Sequence, residues 1–326
     1  MKYCFIINPL AGKGAFTEKV LSDITTACDR AEADYEIYRS DDSEATKSYV
    51  EEVARQLAEG ERVTFIACGG DGTLCKTVLA VMELPEEQRE CAAVGVIPMG
   101  TGNDFVSNFK NKELFFDVEA QLNASPLKID LLRCNDVYSV NMVNIGFDCQ
   151  VVCKKEEIGR RAWVPRKLAY IFSLIITLIR KPGVNMEFSS DGGEKIKKEL
   201  LLTTLANGAF CGGGFNSNPT AALNDGMIDC IAVKNVSRTK FLSLVGDYKK
   251  GLHLGEKFKS IVDHFKCASA DMYFSEETAI SVDGEIIRAH ELHITVAGKA
   301  LTFMVPEGVV AVKEMIEEAV REPVLQ

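Results

Sequence analysis

No apolar run in this chain approaches the roughly 20 residues that a membrane-crossing helix needs. The longest, Tyr170 to Ile179, is interrupted by Ser173 and Thr177 and flanked by Lys167, Arg180 and Lys181. The N-terminal run Tyr3 to Ile7 stops at Asn8-Pro9, too short for a secretory signal core. A cytoplasmic protein is expected. No C-x-x-C pair occurs among the eleven cysteines, which argues against a zinc ribbon or a thioredoxin-type site. Cys4, Cys68 and Cys230 lie inside apolar runs and are expected as buried, reduced thiols. Histidine is scarce, with four in 326 residues; His290 and His293 are three apart, facing opposite ways on a strand, and neither is expected to hold a metal. Positive charge is in deficit. A net charge of −10 leaves nothing to offset repulsion from phosphates over a wide face, which excludes a nucleic-acid binder and permanent attachment to an anionic membrane. One local exception is the cluster Lys154, Lys155, Arg160, Arg161, Arg166 and Lys167, just ahead of the apolar run. Residues 160–182 therefore form the candidate for peripheral, transient membrane contact, against the plainer alternative of a core helix.

With 47% apolar and 26% charged residues the chain is globular, and its length suits two domains. The first third repeats one unit: strand, glycine-bearing loop, helix. Strands are expected at Lys2–Ile7, Tyr35–Tyr38, Val63–Cys68 and Ala93–Pro98. Helices are expected from about Phe16 to Arg30, from Ser43 to Ala58 with Asp42 or Ser43 as cap, and from the third loop through Met82. That pattern is α/β with a mostly parallel sheet. From about Leu127 strand-like runs follow in close succession: Lys128–Arg133, Val137–Val143, Val184–Phe188, Glu199–Asn207, Met227–Val233, Ser260–Ala268, Ala279–Val282, Glu291–Val296 and Ala300–Val305. Helices at Lys167–Arg180 and Thr239–Leu252 interrupt them. This second part reads as antiparallel β. A last amphipathic helix is expected over Glu307–Arg321. The boundaries expected are 1–124 for the α/β domain and 125–305 for the β domain, with 306–326 packing back on the first.

Three glycine-bearing loops fall at strand ends: Asn8-Pro9-Leu10-Ala11-Gly12-Lys13-Gly14, Gly69-Gly70-Asp71-Gly72-Thr73 and Gly100-Thr101-Gly102-Asn103-Asp104. In an open α/β sheet, ligands bind beyond the carboxyl ends of the strands. Glycine lets main-chain N–H groups approach a phosphate, and a following helix N-terminus adds partial positive charge. Asp71 and Asp104 would repel a phosphate directly, so Mg²⁺ is expected between carboxylate and phosphate, with Thr73 and Thr101 adding hydroxyls. A single loop of this kind reads equally well as a tight turn; three in succession point to phosphate chemistry. Neither G-x-x-x-x-G-K-[ST] nor, after the first strand, G-x-G-x-x-G is present, which disfavours a dinucleotide oxidoreductase.

The ordered series Asn8-Pro9-x-x-Gly12, Gly69-Gly70-Asp71-Gly72-Thr73, Gly100-Thr101-Gly102-Asn103-Asp104-Phe105 and Val282-Asp283-Gly284-Glu285 resembles the diacylglycerol kinase catalytic-domain family with its soluble bacterial lipid kinases, across nearly the whole chain. That family is related to the NAD kinases and phosphofructokinases. The resemblance implies a Rossmann-like, phosphofructokinase-like α/β nucleotide-binding domain, a C-terminal antiparallel β-sandwich and a cleft between them. It implies ATP and Mg²⁺ as cofactors and a lipid alcohol such as diacylglycerol as acceptor, within phospholipid biosynthesis. A homodimer is a further expectation. Asn8, Pro9, Leu10, Ala11, Gly12, Ser40, Gly69, Gly70, Gly72, Thr73, Thr101, Asn103, Asp104 and Glu285 would line the nucleotide, with Asp71 and Asp283 catalytic and Asp283 the general base. It further implies a structural Mg²⁺ on the loop 222–229, held by the Asp225 side chain and the carbonyls of Ala222 and Met227. Asn224-Asp225-Gly226 is also plain hairpin-turn chemistry. Two departures stand out: Cys75 and Lys76 where family members carry Asn and Glu, and Val106-Ser107 where a small residue and Arg are usual. The rival readings are a kinase of a soluble hydroxyl substrate, NAD-kinase-like, and a nucleotide-binding regulator without turnover.

Overall fold

A computed structural model of the chain describes residues 1–14, 17–146, 149 and 183–311. The chain divides into two compact units: 1–130 with 212–214 and 298 onward, and 131–211 with 215–297.

The first unit begins with β1 (Lys2–Ile7), α1 (Thr17–Arg30), β2 (Asp34–Arg39), α2 (Ser43–Gln56), β3 (Val63–Gly69), α3 (Asp71–Met82), α4 (Glu86–Glu90) and β4 (Ala92–Pro98). β3 and β4 are buried along their whole length, as expected of parallel strands covered on both faces. β1 pairs in parallel with β2 and β3, and β3 with β4, so all four strands point their carboxyl ends to the same edge. β2, at the margin, alternates exposed and half-buried positions. On α1, Val20, Ile24, Ala27 and Cys28 recur at helical spacing and pack on Phe5, Ile7, Ile66 and Ile97. Asp42 caps α2 by accepting a 2.8 Å bond from the Ala45 N–H, worth about 1 kcal/mol. After β4 come β5 (Phe109–Lys110), α5 (Val118–Leu122) and β6 (Ser125–Cys134).

The second unit carries β7 (Val137–Ser139), β8 (Met142–Gly146), β9 (Val184–Ser190), β10 (Ile196–Ala206), the small hairpin β11 (Phe210–Cys211) and β12 (Phe215–Asn216), β13 (Ile228–Lys234), α6 (Arg238–Lys249), β14 (Val262–Cys267), β15 (Ser269–Val282) and β16 (Glu285–Val305). β16 runs on into the first unit from Gly298, where Phe303 pairs in parallel with Val94 of β4. β17 (Val310–Ala311) pairs with β5. Pairing within the second unit is antiparallel throughout, in the order β14-β13-β10-β8-β15-β16, with β9 between the outer parts of β10 and β15. Leu205, Ile228, Met272, Ile280 and Leu292 form its core.

Several expectations are corrected. The run Val137–Val143 is two strands, broken at Val140-Asn141 because those backbone N–H groups turn to Asp283. Ala279–Val282 is the end of the fourteen-residue β15, and Glu291–Val296 with Ala300–Val305 is one strand of twenty-one residues. Exposed polar positions inside these strands disguise their continuity. The helix expected from Glu307 does not begin there, since Val310–Ala311 is a strand, and its remainder lies outside the described residues. The basic cluster and the helix Lys167–Arg180 also lie outside them. Among the described residues no helix is long and apolar enough to cross a membrane, and Cys4, Cys68 and Cys230 are buried thiols.

Candidate active site

In the first unit the carboxyl ends of β1, β3 and β4 bring the three glycine loops to one edge, joined by side chains. Asn8 donates from Nδ2 to Thr73 Oγ1 at 3.3 Å, and its Oδ1 accepts the Leu10 N–H at 2.9 Å. Thr73 is therefore turned toward the first loop and buried there. Gly69 makes room for it: a Cβ at Gly69 would lie 2.1 Å from Thr73 Oγ1. Gly70 and Gly100 approach back to back, and a Cβ on Gly100 would come within 2.5 Å of the Gly70 Cα. Here glycine is required by proximity of two backbones. Asn103, with φ +56°, closes its own loop by accepting from the Gly100 N–H and donating to the carbonyls of Pro98 and Gly100. Pro9, Ala11, Gly12, Gly72 and Thr101 sit on these same loops; Leu10 is exposed at the first loop's crest, and Thr101 is exposed as well.

Asp71 opens α3, whose N-cap, Gly70, supplies no side-chain cap. The first-turn N–H groups and the helix dipole together favour an anion there. Asp71 Oδ1 accepts the Phe105 N–H at 3.0 Å, and Phe105 is anchored edge-on to Phe303, ring centres 5.0 Å apart. The other oxygen of Asp71 faces Gly102, where a Cβ would come to 3.3 Å. Asp104 takes a different task from the one its sequence position suggested. Its two oxygens accept the N–H groups of Gly213 at 2.9 Å and Gly214 at 2.7 Å. Burial pushes its pKa up, the Gly213 N–H opposes this, and the neighbouring Asp71 charge pushes it up again. Ser40, at the end of β2, donates its N–H to Ile7 and closes the turn to Asp42 through its hydroxyl. Lys76, on α3, donates to the carbonyl of Asp41 at 2.6 Å, so this departure ties α3 to the turn that follows β2.

In the second unit Asp283 and Gly284 form the two-residue turn between β15 and β16, with φ of +48° and +95° and Val282 opposite Glu285. Positive φ at both positions is the primed turn that suits the strand twist. Asp283 is half-buried, and its carboxylate accepts from Ser139 Oγ and Met142 N at 2.8 Å, Asn141 N at 3.1 Å, and Val140 N at 2.7 Å. Burial pushes its pKa above the ordinary carboxylate range, against the pull of those donors. Glu285 is exposed at the start of β16. The donors on Asp283 and the Gly213 and Gly214 amides on Asp104 were not foreseen. Gly212-Gly213-Gly214 was visible as a glycine run, whereas nothing in residues 139–142 announces a carboxylate more than 140 positions away.

The loop 222–229 does not fit the Mg²⁺ expected of it. Asp225 Oδ2 lies 2.5 Å from Lys266 Nζ, and Asp225 Oδ1 accepts the Met227 N–H at 3.2 Å. No group of three His, Cys, Asp or Glu placed to hold a metal occurs among the described residues.

The diacylglycerol kinase catalytic domain matches residues 2–134, and the YegS C-terminal NAD kinase beta sandwich-like domain matches residues 141–305. The chain belongs to the diacylglycerol kinase family of lipid kinases. Its architecture is accordingly an α/β domain followed by an antiparallel β-sandwich domain. It is 28% identical over 268 residues to proteins of Yersinia pestis (strain Pestoides F) and Yersinia pseudotuberculosis (serotype O:1b) named "Probable lipid kinase YegS-like", covering 80% of this chain and 83% of theirs. Two Bacillus anthracis str. Sterne crystal structures share the fold, with TM-scores of 0.74 and 0.70 at 21% and 20% identity. Both cover 95% of this lipid-kinase chain, with 96% and 98% of their own covered, and the second is described as a diacylglycerol kinase.

Proposed function

We propose that this kinase transfers the γ-phosphate of Mg²⁺-ATP to the hydroxyl of diacylglycerol or a similar lipid alcohol. The observation that carries this reading is the convergence of three glycine loops on one sheet edge, with the uncapped start of α3 and the Asp71 carboxylate among them. Phosphoryl transfer asks the protein chiefly for positioning and electrostatics. The backbones of Asn8–Gly12 and Gly69–Thr73 would approach the phosphates. The Asp71 oxygen not bound by Phe105 is a hard donor of the kind Mg²⁺ takes alongside phosphates and waters. Mg²⁺, arriving with ATP, would neutralise charge on the transferred group.

Asp283 would accept the acceptor hydroxyl's proton as the alkoxide oxygen bonds to the γ-phosphorus and the bond from that phosphorus to the β–γ bridging oxygen breaks, releasing ADP. Its raised pKa makes it a better base than an exposed aspartate, and its four donors fix its orientation. A lipid acceptor implies a cytoplasmic protein that meets a membrane surface transiently, in keeping with the net charge of −10.

The test is transfer of label from γ-labelled ATP to a panel of lipid alcohols in mixed micelles with Mg²⁺, beside a soluble panel that includes NAD. Label in a lipid, lost in a folded Asp71→Ala protein, is expected. Label only in a soluble acceptor, or ATP binding without transfer to any acceptor, would overturn the reading.

A further inference from the structure

Strand register explains how the loop 222–229 is held. Asp229, on β13, stands directly opposite Lys266 on β14, and Ile231 stands opposite His264. Lys266 and His264 are two residues apart and share one face of β14. Both reach Asp229, which is 1% exposed: His264 Nε2 lies 3.2 Å from its Oδ2 and Lys266 Nζ 3.8 Å from the same oxygen. Thr220 Oγ1 donates to Oδ2 at 2.5 Å, and Asn218 Nδ2 donates to Oδ1 at 3.0 Å. Lys266 also lies 2.5 Å from Asp225 Oδ2. One ammonium therefore faces both carboxylates of the loop.

We propose that the Lys266 ammonium takes the cation position of this loop, so that the turn Asn224-Asp225-Gly226 is held by a lysine and needs no divalent ion. A divalent cation binds carboxylate oxygen at about 2.0–2.6 Å, the distance at which Nζ already sits. The lysine charge on that oxygen repels an incoming ion. The side chains of Asp225 and Lys266 are about a quarter exposed. This inference does not depend on the acceptor or on turnover.

The experiment is thermal unfolding of the full, nucleotide-free chain in EDTA and in millimolar Ca²⁺, with Mn²⁺ binding followed in parallel. Wild type and Asp225→Asn are expected to respond alike to Ca²⁺. Lys266→Ala is expected to unfold lower in EDTA and to recover in Ca²⁺, with Mn²⁺ binding tightened roughly tenfold or more as the loop regains net negative charge. Adding Asp225→Asn to Lys266→Ala is expected to abolish that recovery. Lys266→Met, which keeps the apolar stem, serves if the alanine protein does not fold, and the wild-type comparison stands if neither does. A Ca²⁺-dependent rise in wild type that Asp225→Asn removes would overturn the proposal. So would folded Lys266 variants that gain no response to divalent ions.

Discussion

Two Asp-Gly turns in the second unit share a dipeptide and little else. Asp283-Gly284 joins β15 to β16, with its half-buried carboxylate held by one hydroxyl and three backbone N–H groups. Asp225-Gly226 precedes β13 at an exposed turn and pairs with the ammonium of Lys266. Hydroxyl and backbone donors orient the Asp283 carboxylate, and burial raises its pKa against their pull. A cation matches the charge and stabilises the ionised form. The first arrangement suits a group that must take up a proton; the second suits one that must keep a turn closed. Sequence alone offers the same turn signal at both places, and only the partners separate them.

The comparison breaks most visibly on truncation. Asp283→Ala would leave the Ser139 hydroxyl and the N–H groups of Val140, Asn141 and Met142 without their acceptor. A loss of about 3 kcal/mol or more of unfolding free energy is expected in denaturant titration. Asp283→Asn keeps an acceptor for three of the four donors and should lose about half as much or less.

A group whose burial outweighs the pull of its polar neighbours extends the series. His253 is fully buried against Tyr248, and neither ring nitrogen has a hydrogen-bond partner among the described residues. Burial pushes its pKa down to about 4. The folded protein therefore holds the neutral ring where the unfolded chain, with its ordinary pKa near 6.5, is protonated. Its contribution is whole above about pH 6.5 and is lost as the pH falls toward 4, by up to about 3 kcal/mol. Stability measured across that window should flatten by about one proton's slope in His253→Phe.

The smallest effect is expected at the surface pair. Asp225→Asn should change stability by about 1 kcal/mol or less at neutral pH and low salt, because a partly exposed ion pair is weakly coupled. A loss of several kcal/mol would place Asp225 with Asp283 instead.

The first unit was legible because each level of its sequence agrees. β3 and β4 are wholly buried and rich in apolar residues, Asp42 is a strong cap, and the glycine loops follow strands directly. Asn8, Gly69, Gly70, Asp71 and Thr73 come together as their spacing suggested, yet the grip of Asp104 on Gly213 and Gly214 spans about 110 positions and has no local signal. The second unit was legible as β but not as individual strands. β15 and β16 carry exposed polar residues mid-strand, including a register shift between Tyr273 and Thr278, so short apolar patches stood for long strands. The contact of Asp225 with Lys266 was illegible for a similar reason. Lys266 is 41 residues away, and its meeting with Asp225 depends on the β13–β14 register, which no motif encodes.

The most direct measurement is label transfer from γ-labelled ATP to the lipid acceptor by wild type and by Asp283→Asn, with ATP affinity and folding measured on the same preparations. Transfer reduced about a hundredfold or more, with ATP binding unchanged, is the expected result for loss of a general base. Asp283→Asn transferring label at the wild-type rate would contradict it, leaving the carboxylate as a clasp between β15 and the start of β8.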